Sequence, residues 1–325
     1  MLTIFTHTKA FKGHVGLIQR NAISQWARLR PRPEIILFGN DEGTSEIARE
    51  LGLRHIPDVR RNECGTPLLS DLFEKAHALA SHNTLCYVNA DIILLGDFMG
   101  AVQQVVVWRD RFLMVGRRTN VDLDEPAIYE SPDQEELLRA LVSQRGRLGA
   151  ANSIDYFVFP RGLFPTLPEF AIGRFYWDNW MIWRARALRV AVVDASAAIL
   201  AVHQNHDPHH PRGQGIRGEE DRQNRRLAGR GIFKIMVGDV AGGDDATHKL
   251  MADGIKARPF LSFIPKAVRA CWWRFLGITR PIRRPLGLTR EKVASVLGRV
   301  GETLSNSSAR LVASTALKPI KKNGE

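Results

Sequence analysis

Through the first two thirds of the chain, short apolar runs rich in β-branched residues alternate with longer stretches whose apolar positions recur every three or four residues. That alternation predicts a mostly parallel sheet covered by helices. Leu2 to Phe5 is the first expected strand. Val15, Ile18, Ala22, Ile23, Trp26 and Leu29 then share one helical face, and Pro31 and Pro33 end that helix because proline cannot continue it. Glu34 to Phe38 predicts the second strand, Ser45 to Leu51 a short helix, Arg54 to Ile56 a third strand, Leu68 to Ala80 a helix and Leu85 to Val88 a buried central strand. Further on, strands are expected at Arg111–Gly116, Tyr156–Phe159, Val190–Val193 and Ile199–Val202, with helices at Gln134–Gln144 and Trp177–Leu188. From Gly213 to Arg230 the composition turns polar and arginine-rich, and Gly242-Gly243-Asp244-Asp245 reads as a linker. The expected architecture is α/β: a Rossmann-like mixed sheet flanked by helices over residues 1–240, then a basic helical extension over 241–325.

Composition narrows the class. With 325 residues, 44% hydrophobic and 25% charged, the chain can bury a sizeable core. Its three cysteines, Cys64, Cys86 and Cys271, include no CxxC pair, which excludes a disulfide framework and a structural zinc site of that kind. The opening residues reach Lys9 and Lys12 without the apolar core of a secretory signal, and no stretch is long and uncharged enough to span a bilayer, so a cytoplasmic location is expected.

The net charge of +12 points to an anionic partner, and nine basic residues with no acid between Gly254 and Arg290 concentrate it in the tail. There Phe260, Phe263, Ile264, Val268, Trp272 and Phe275 recur at helical spacing among Lys266, Arg269 and Arg274. Such a segment either lies peripherally on an anionic membrane, at the inner face, or packs its aromatic side on the α/β unit. No recognised module accompanies the charge, so nucleic acid is not an expected partner.

The candidate chemistry centres on Tyr87-Val88-Asn89-Ala90-Asp91, where a carboxylate follows a buried strand directly. A charge there is costly unless paired or cation-bound. Asp91 therefore reads either as a ligand for Mg2+ or Mn2+, which bridge carboxylates to substrate phosphates, or as an Asx turn at a strand end. Asn89 is a weaker neutral oxygen donor. Four imidazoles, His203, His206, His209 and His210, follow a later strand and read as metal ligands or surface residues. Arg117-Arg118 is either a diphosphate clamp or an exposed basic pair. Asp178 sits in the first turn of a helix, where the helix dipole alone would favour it.

Taken in order, Phe5-Thr6-His7, Phe38-Gly39-Asn40-Asp41, Tyr87-Val88-Asn89-Ala90-Asp91, Gly116-Arg117-Arg118, Asp155-Tyr156-Phe157-Val158-Phe159-Pro160, Trp177-Asp178-Asn179-Trp180 and His203-Gln204-Asn205-His206-Asp207 resemble the nucleotide-diphospho-sugar transferases, the GT-A glycosyltransferases, over about residues 1–210. The family's acidic signature is Asp-x-Asp, and here its first member is Asn89. The resemblance implies a nucleotide sugar, more often uridine-linked, held with Mn2+ or Mg2+ at Asp91, with His203 or His206 completing the metal site. It implies that Thr6, His7, Asn40 and Asp41 line the nucleotide pocket, that Asn89, Arg117 and Asp155 lie near donor phosphate or sugar, and that Asp178 is the general base of an inverting enzyme. A glycan or lipid-linked acceptor is compatible with it. Two alternatives remain at this level. One is a nucleotidyltransferase acting on sugar phosphates, although Thr6 to Gly16 lacks the Gly-rich loop this wants. The other is a non-catalytic, membrane-docking scaffold with a degenerate site.

Overall fold

The computed structural model describes residues 1–123, 125–126, 131–206, 218–229 and 241–258. The chain divides into two units, and Met1–Phe233 with Asp239–Ala257 make up the first. The aromatic-basic tail from Phe260 onward, together with His209 and His210, lies outside the described residues.

In chain order the unit contains β1 (Leu2–His7), α1 (Gly13–Arg28), β2 (Glu34–Phe38), α2 (Thr44–Leu51), β3 (Arg54–Ile56), α3 (Leu69–Leu79), β4 (Thr84–Val88), β5 (Ile92–Leu94), α4 (Asp97–Trp108), β6 (Phe112–Val121), α5 (Pro132–Arg145) and β7 (Arg147–Leu148). It continues with β8 (Ile154–Pro160), α6 (Trp177–Ala187), β9 (Ala191–Asp194), β10 (Ala201–Gln204), α7 (Glu219–Ala228), β11 (His248–Met251) and β12 (Gly254–Ala257). The main sheet runs β12-β11-β9-β6-β8-β4-β1-β2-β3. Its strands are parallel except β8 and the edge strand β12, which run opposite to their neighbours. This is the expected mixed α/β sheet.

Two apolar layers follow from the two-residue period of the strands. In β4, Cys86 and Val88 point into one core with Ala22, Ile23 and Trp26 of α1, whereas Leu85 and Tyr87 point into the other with Phe73 of α3 and Met181 of α6. Helices thus cover both faces. Among the described residues no helix is long and apolar enough to cross a membrane.

Strand β6 is the exception to a simple layered plan. Its first half pairs with β8 and β9, and its second half, Arg118–Val121, leaves the main sheet to pair with β10. β10 also pairs with β5 in antiparallel fashion, so a small second sheet forms beside the carboxyl edge of the first. A register shift between Val115 and Arg117 marks the point of departure, as bulges do where a strand must bend.

Several elements differ from the sequence expectation. Helix α4 has no counterpart in the sequence expectation; Phe98, Ala101, Val102 and Val105 bury one helical face. Gly243–Asp245 is not a linker but a short 3-10 turn, and β11 pairs with β9 beyond it. The boundary drawn at 240/241 therefore falls within the sheet-forming unit, which runs to Ala257.

Candidate active site and metal centre

The chain turns from β1 to β2 on one side and reaches β4 on the other, so β1 and β4 flank the point where strand order reverses. Open α/β sheets bind ligands outside the carboxyl ends of strands at such a point. Here β1 ends at His7 and β4 runs into Asn89-Ala90-Asp91. Because β8 is antiparallel to β4, with Val88 opposite Tyr156, Asp155 arrives at the same edge.

Asp91, His203 and His206 come together there, their ligand atoms all within 4.8 Å of one another. The Nε2 atoms of His203 and His206 stand 3.5 and 3.4 Å from Asp91 Oδ2. Burial would raise the Asp91 pKa, but hydrogen bonds and charge from the two imidazoles outweigh it and hold the carboxyl below its ordinary range. The other oxygen, Oδ1, is buried with no hydrogen-bond partner. The geometry has an identifiable scaffold. His203 lies opposite Ile92 across the β10–β5 pair, so the short strand that follows Asp91 sets the height of the histidine.

Gln204, fully buried, donates from Nε2 to the carbonyls of Ile18 (2.8 Å) and Asp91 (3.1 Å) and accepts from Asn21 Nδ2 (2.8 Å). The Trp26 indole adds a bond to the Ile92 carbonyl at 2.8 Å. Helix α1 thereby fixes both the carboxylate and the imidazole. Sequence reasoning passed over Gln204 and Asn21. The available signal was the polar content of the buried face of α1, where Gln19, Asn21, Ser24 and Gln25 sit among apolar residues.

A second cluster adjoins the first. Asp155, 7% exposed, accepts from Arg118 Nη1 at 2.7 Å and from Asn89 Nδ2 at 2.8 Å. The Asn89 amide is thus engaged with Asp155, while its backbone N–H donates to the Asp155 carbonyl. Successive strand residues face opposite ways, so only one of the two arginines can point here. It is Arg118; the Arg117 guanidinium binds the Gly149 carbonyl instead, with Nε at 2.9 Å.

Asp178 opens α6, where its Oδ1 accepts from the Asn179 N–H at 2.8 Å. Burial, aided by the charge of Asp155 and opposed by Arg118, pushes its pKa up to about 7. The preceding Tyr176 has φ 82°, a left-handed conformation costly for a bulky residue. Helix α7 clamps that approach: Asp221 Oδ1 accepts from Phe175 N at 3.0 Å, and Asn224 bonds the backbone of Ala171 and Phe175.

At the ends of β1 and β2, His7 Nε2 stands 3.5 Å from Asp41 Oδ2, which Arg61 also pairs at 3.2 Å. Burial dominates at His7 and lowers its pKa to about 4, against the pull of Asp41. Gly39, at φ +106°, passes so close that a Cβ there would lie 2.7 Å from His7 Nε2. Thr6 is fully buried with its hydroxyl 3.4 Å from the His7 carbonyl, and Asn40 is exposed. The structure therefore gathers Asp91, His203 and His206 in one group, Asn89, Asp155 and Arg118 in another, and His7 with Asp41 in a third; Arg117, Thr6 and Asn40 join none of them.

No family model and no curated protein matches this sequence. Among solved structures, the chain is similar to S. aureus TarS 1-349 in complex with UDP-GlcNAc, at 9% identity over 75% of this chain and 69% of that one, with a TM-score of 0.47. It is also similar to the mannosyltransferase PcManGT from Pyrobaculum calidifontis in complex with GDP-Man and Mn2+, at 14% identity over 69% and 62% of the two chains and a TM-score of 0.43. A third is glucosyl-3-phosphoglycerate synthase from Mycobacterium tuberculosis with Mn2+, uridine diphosphate and phosphoglyceric acid, at 17% identity over 64% and 72% and a TM-score of 0.41.

Proposed function

We propose that the chain is a metal-assisted glycosyltransferase that takes a sugar from a nucleoside-diphosphate donor, with Asp91, His203 and His206 holding a divalent cation. The observation that carries this is the convergence of those three ligands within 4.8 Å, beside the strand-order switch, with Asp91 Oδ1 left without a partner. One carboxylate and two imidazoles suit Mn2+ better than Mg2+, which prefers an all-oxygen shell. When bound, the cation neutralises charge on the departing diphosphate.

The chain's own residues supply the rest. With a pKa of about 7, Asp178 is substantially ionised at neutral pH yet basic enough to take the proton of an acceptor hydroxyl as it attacks the anomeric carbon. Asp155, held by Arg118 and Asn89, keeps its negative charge close enough to help maintain that basicity. His7 stays neutral above about pH 4 and, with Asp41, borders the region where the nucleoside would sit. The uridine preference, the glycan or lipid-linked acceptor, the cytoplasmic location and contact of the basic tail with an anionic membrane belong to this proposal on sequence grounds alone.

The test is donor hydrolysis. Purified protein incubated with a panel of nucleotide sugars should release nucleoside diphosphate in a Mn2+-dependent manner, and Asp91→Ala should lower the rate about 100-fold or more. No release from any donor, together with no nucleotide binding by calorimetry, would favour the scaffold alternative.

A further inference from the structure

His203 and His206 are three residues apart in sequence, yet their Nε2 atoms stand 3.5 and 3.4 Å from the same oxygen, Asp91 Oδ2. In a continued strand that spacing would send the two rings to opposite faces. The backbone must therefore leave the pleat between them, and β10 does end at Gln204. His203 takes its place from the strand pairing, whereas His206 lies beyond the last paired residue. What holds His206 has to act through Asn205.

Asn205 is fastened at three polar groups. Its N–H donates to the Val121 carbonyl at 2.8 Å, one step past the end of the β10–β6 ladder. Its Nδ2 donates to Asp122 Oδ1, also at 2.8 Å. Its carbonyl accepts from His14 Nε2 at 3.0 Å. The first two contacts reach back to the end of β6. The third comes from the first turn of α1, 191 residues away in sequence. That carbonyl shares one rigid peptide plane with the His206 N–H and Cα, so fixing the oxygen fixes the direction in which the chain sets out toward the imidazole. A carbonyl only accepts, so the His14 ring carries a hydrogen on Nε2. Helix α1 already holds the residue after Asp91 through the Trp26 indole; with His14 it holds the approach to His206 as well.

We propose that His14 is a positioning residue of the metal centre, its Nε2–H holding the Asn205–His206 peptide so that the His206 imidazole meets a divalent cation shared with Asp91 and His203. The inference rests on the metal reading of those three residues and adds one that touches neither cation nor substrate. An imidazole held in place before the cation arrives loses less freedom on binding it.

The test uses Mn2+ alone, titrated into the full chain with the free ion counted by electron paramagnetic resonance and each variant checked by its thermal melt. His14→Leu, which keeps the bulk and removes the donor, should weaken Mn2+ binding about tenfold. His14→Gln, whose amide nitrogen reaches the same carbonyl, should recover most of that loss. His14→Asn, with a shorter side chain, should lose as much as His14→Leu and replaces it if leucine disturbs the fold. In a His206→Ala background the loss of the His14 donor should change affinity less than about twofold, because the ligand it positions is gone. Unchanged affinity without the donor, an equal loss with or without His206, or no rescue by glutamine would each overturn the assignment, and Asp91→Ala would still weaken Mn2+ binding. If Asp91→Ala and His206→Ala both bind Mn2+ as the wild type does, the metal reading and this inference fall together.

Discussion

Asp178→Asn separates catalysis from stability at a single atom. The substitution keeps an oxygen that can accept the Asn179 N–H, now at 2.8 Å, and removes the charge. In the wild type the folded pKa of about 7 stands roughly three units above the 3.8 of an ordinary aspartate. At 1.36 kcal/mol per unit this amounts to about 4 kcal/mol, an upper bound because water reaches part of the side chain. The native state binds the extra proton between those two values. The stability this represents is therefore complete below about pH 4 and is lost as the pH rises through 7. Asparagine never ionises, so the variant should match the wild type at about pH 3.5, below the ordinary aspartate value, and exceed it in denaturant unfolding at about pH 8.5, by up to that amount. Its turnover should fall about 100- to 10,000-fold, while wild-type turnover climbs with pH and levels off above 7. A stability difference that is the same at both pH values, or a variant that keeps its turnover, would refute the argument from buried charge.

Two further outcomes follow from the neighbouring contacts. Asn89→Asp, which restores an Asp-x-Asp pattern, should not tighten Mn2+ binding: it replaces a donor 2.8 Å from Asp155 Oδ1 with a second carboxylate. Isothermal titration with Mn2+ and a melt below that of the wild type, by an equivalent of about 2 kcal/mol, are the expected readings. Gln204→Leu removes three buried hydrogen bonds and should cost about 3 kcal/mol in denaturant unfolding, with Mn2+ affinity lowered although no metal ligand has been changed.

Much of the sheet was legible because its strands are short, nearly continuous apolar runs, a pattern visible in the local sequence. Leu2–Phe5, Glu34–Phe38 and Leu85–Val88 all fall inside observed strands. The readings that failed were those in which tertiary partners decide. Helix α7 has little apolar content to signal a buried face, and its buried residues are Asp221, Asn224 and the small Ala228, the first two held by hydrogen bonds. Asp91, His203 and His206 were visible as chemistry in search of partners, but which of Arg117 and Arg118 turns inward depends on the pleat and the register shift in β6. No spacing rule gives that. The engagement of Asn89 with Asp155 was equally hidden, since 66 residues separate them in sequence.

The ten-residue strand β6 ties these clusters together. Arg118 stands where the strand leaves the large sheet, and Asn120, two residues on, is the register partner of His203. Inserting a single residue between Val115 and Arg118 would turn the wrong arginine toward Asp155 and shift the pairing of the histidine by one step. The histidine proposed as a cation ligand and the arginine that holds Asp155 are thus set by one strand.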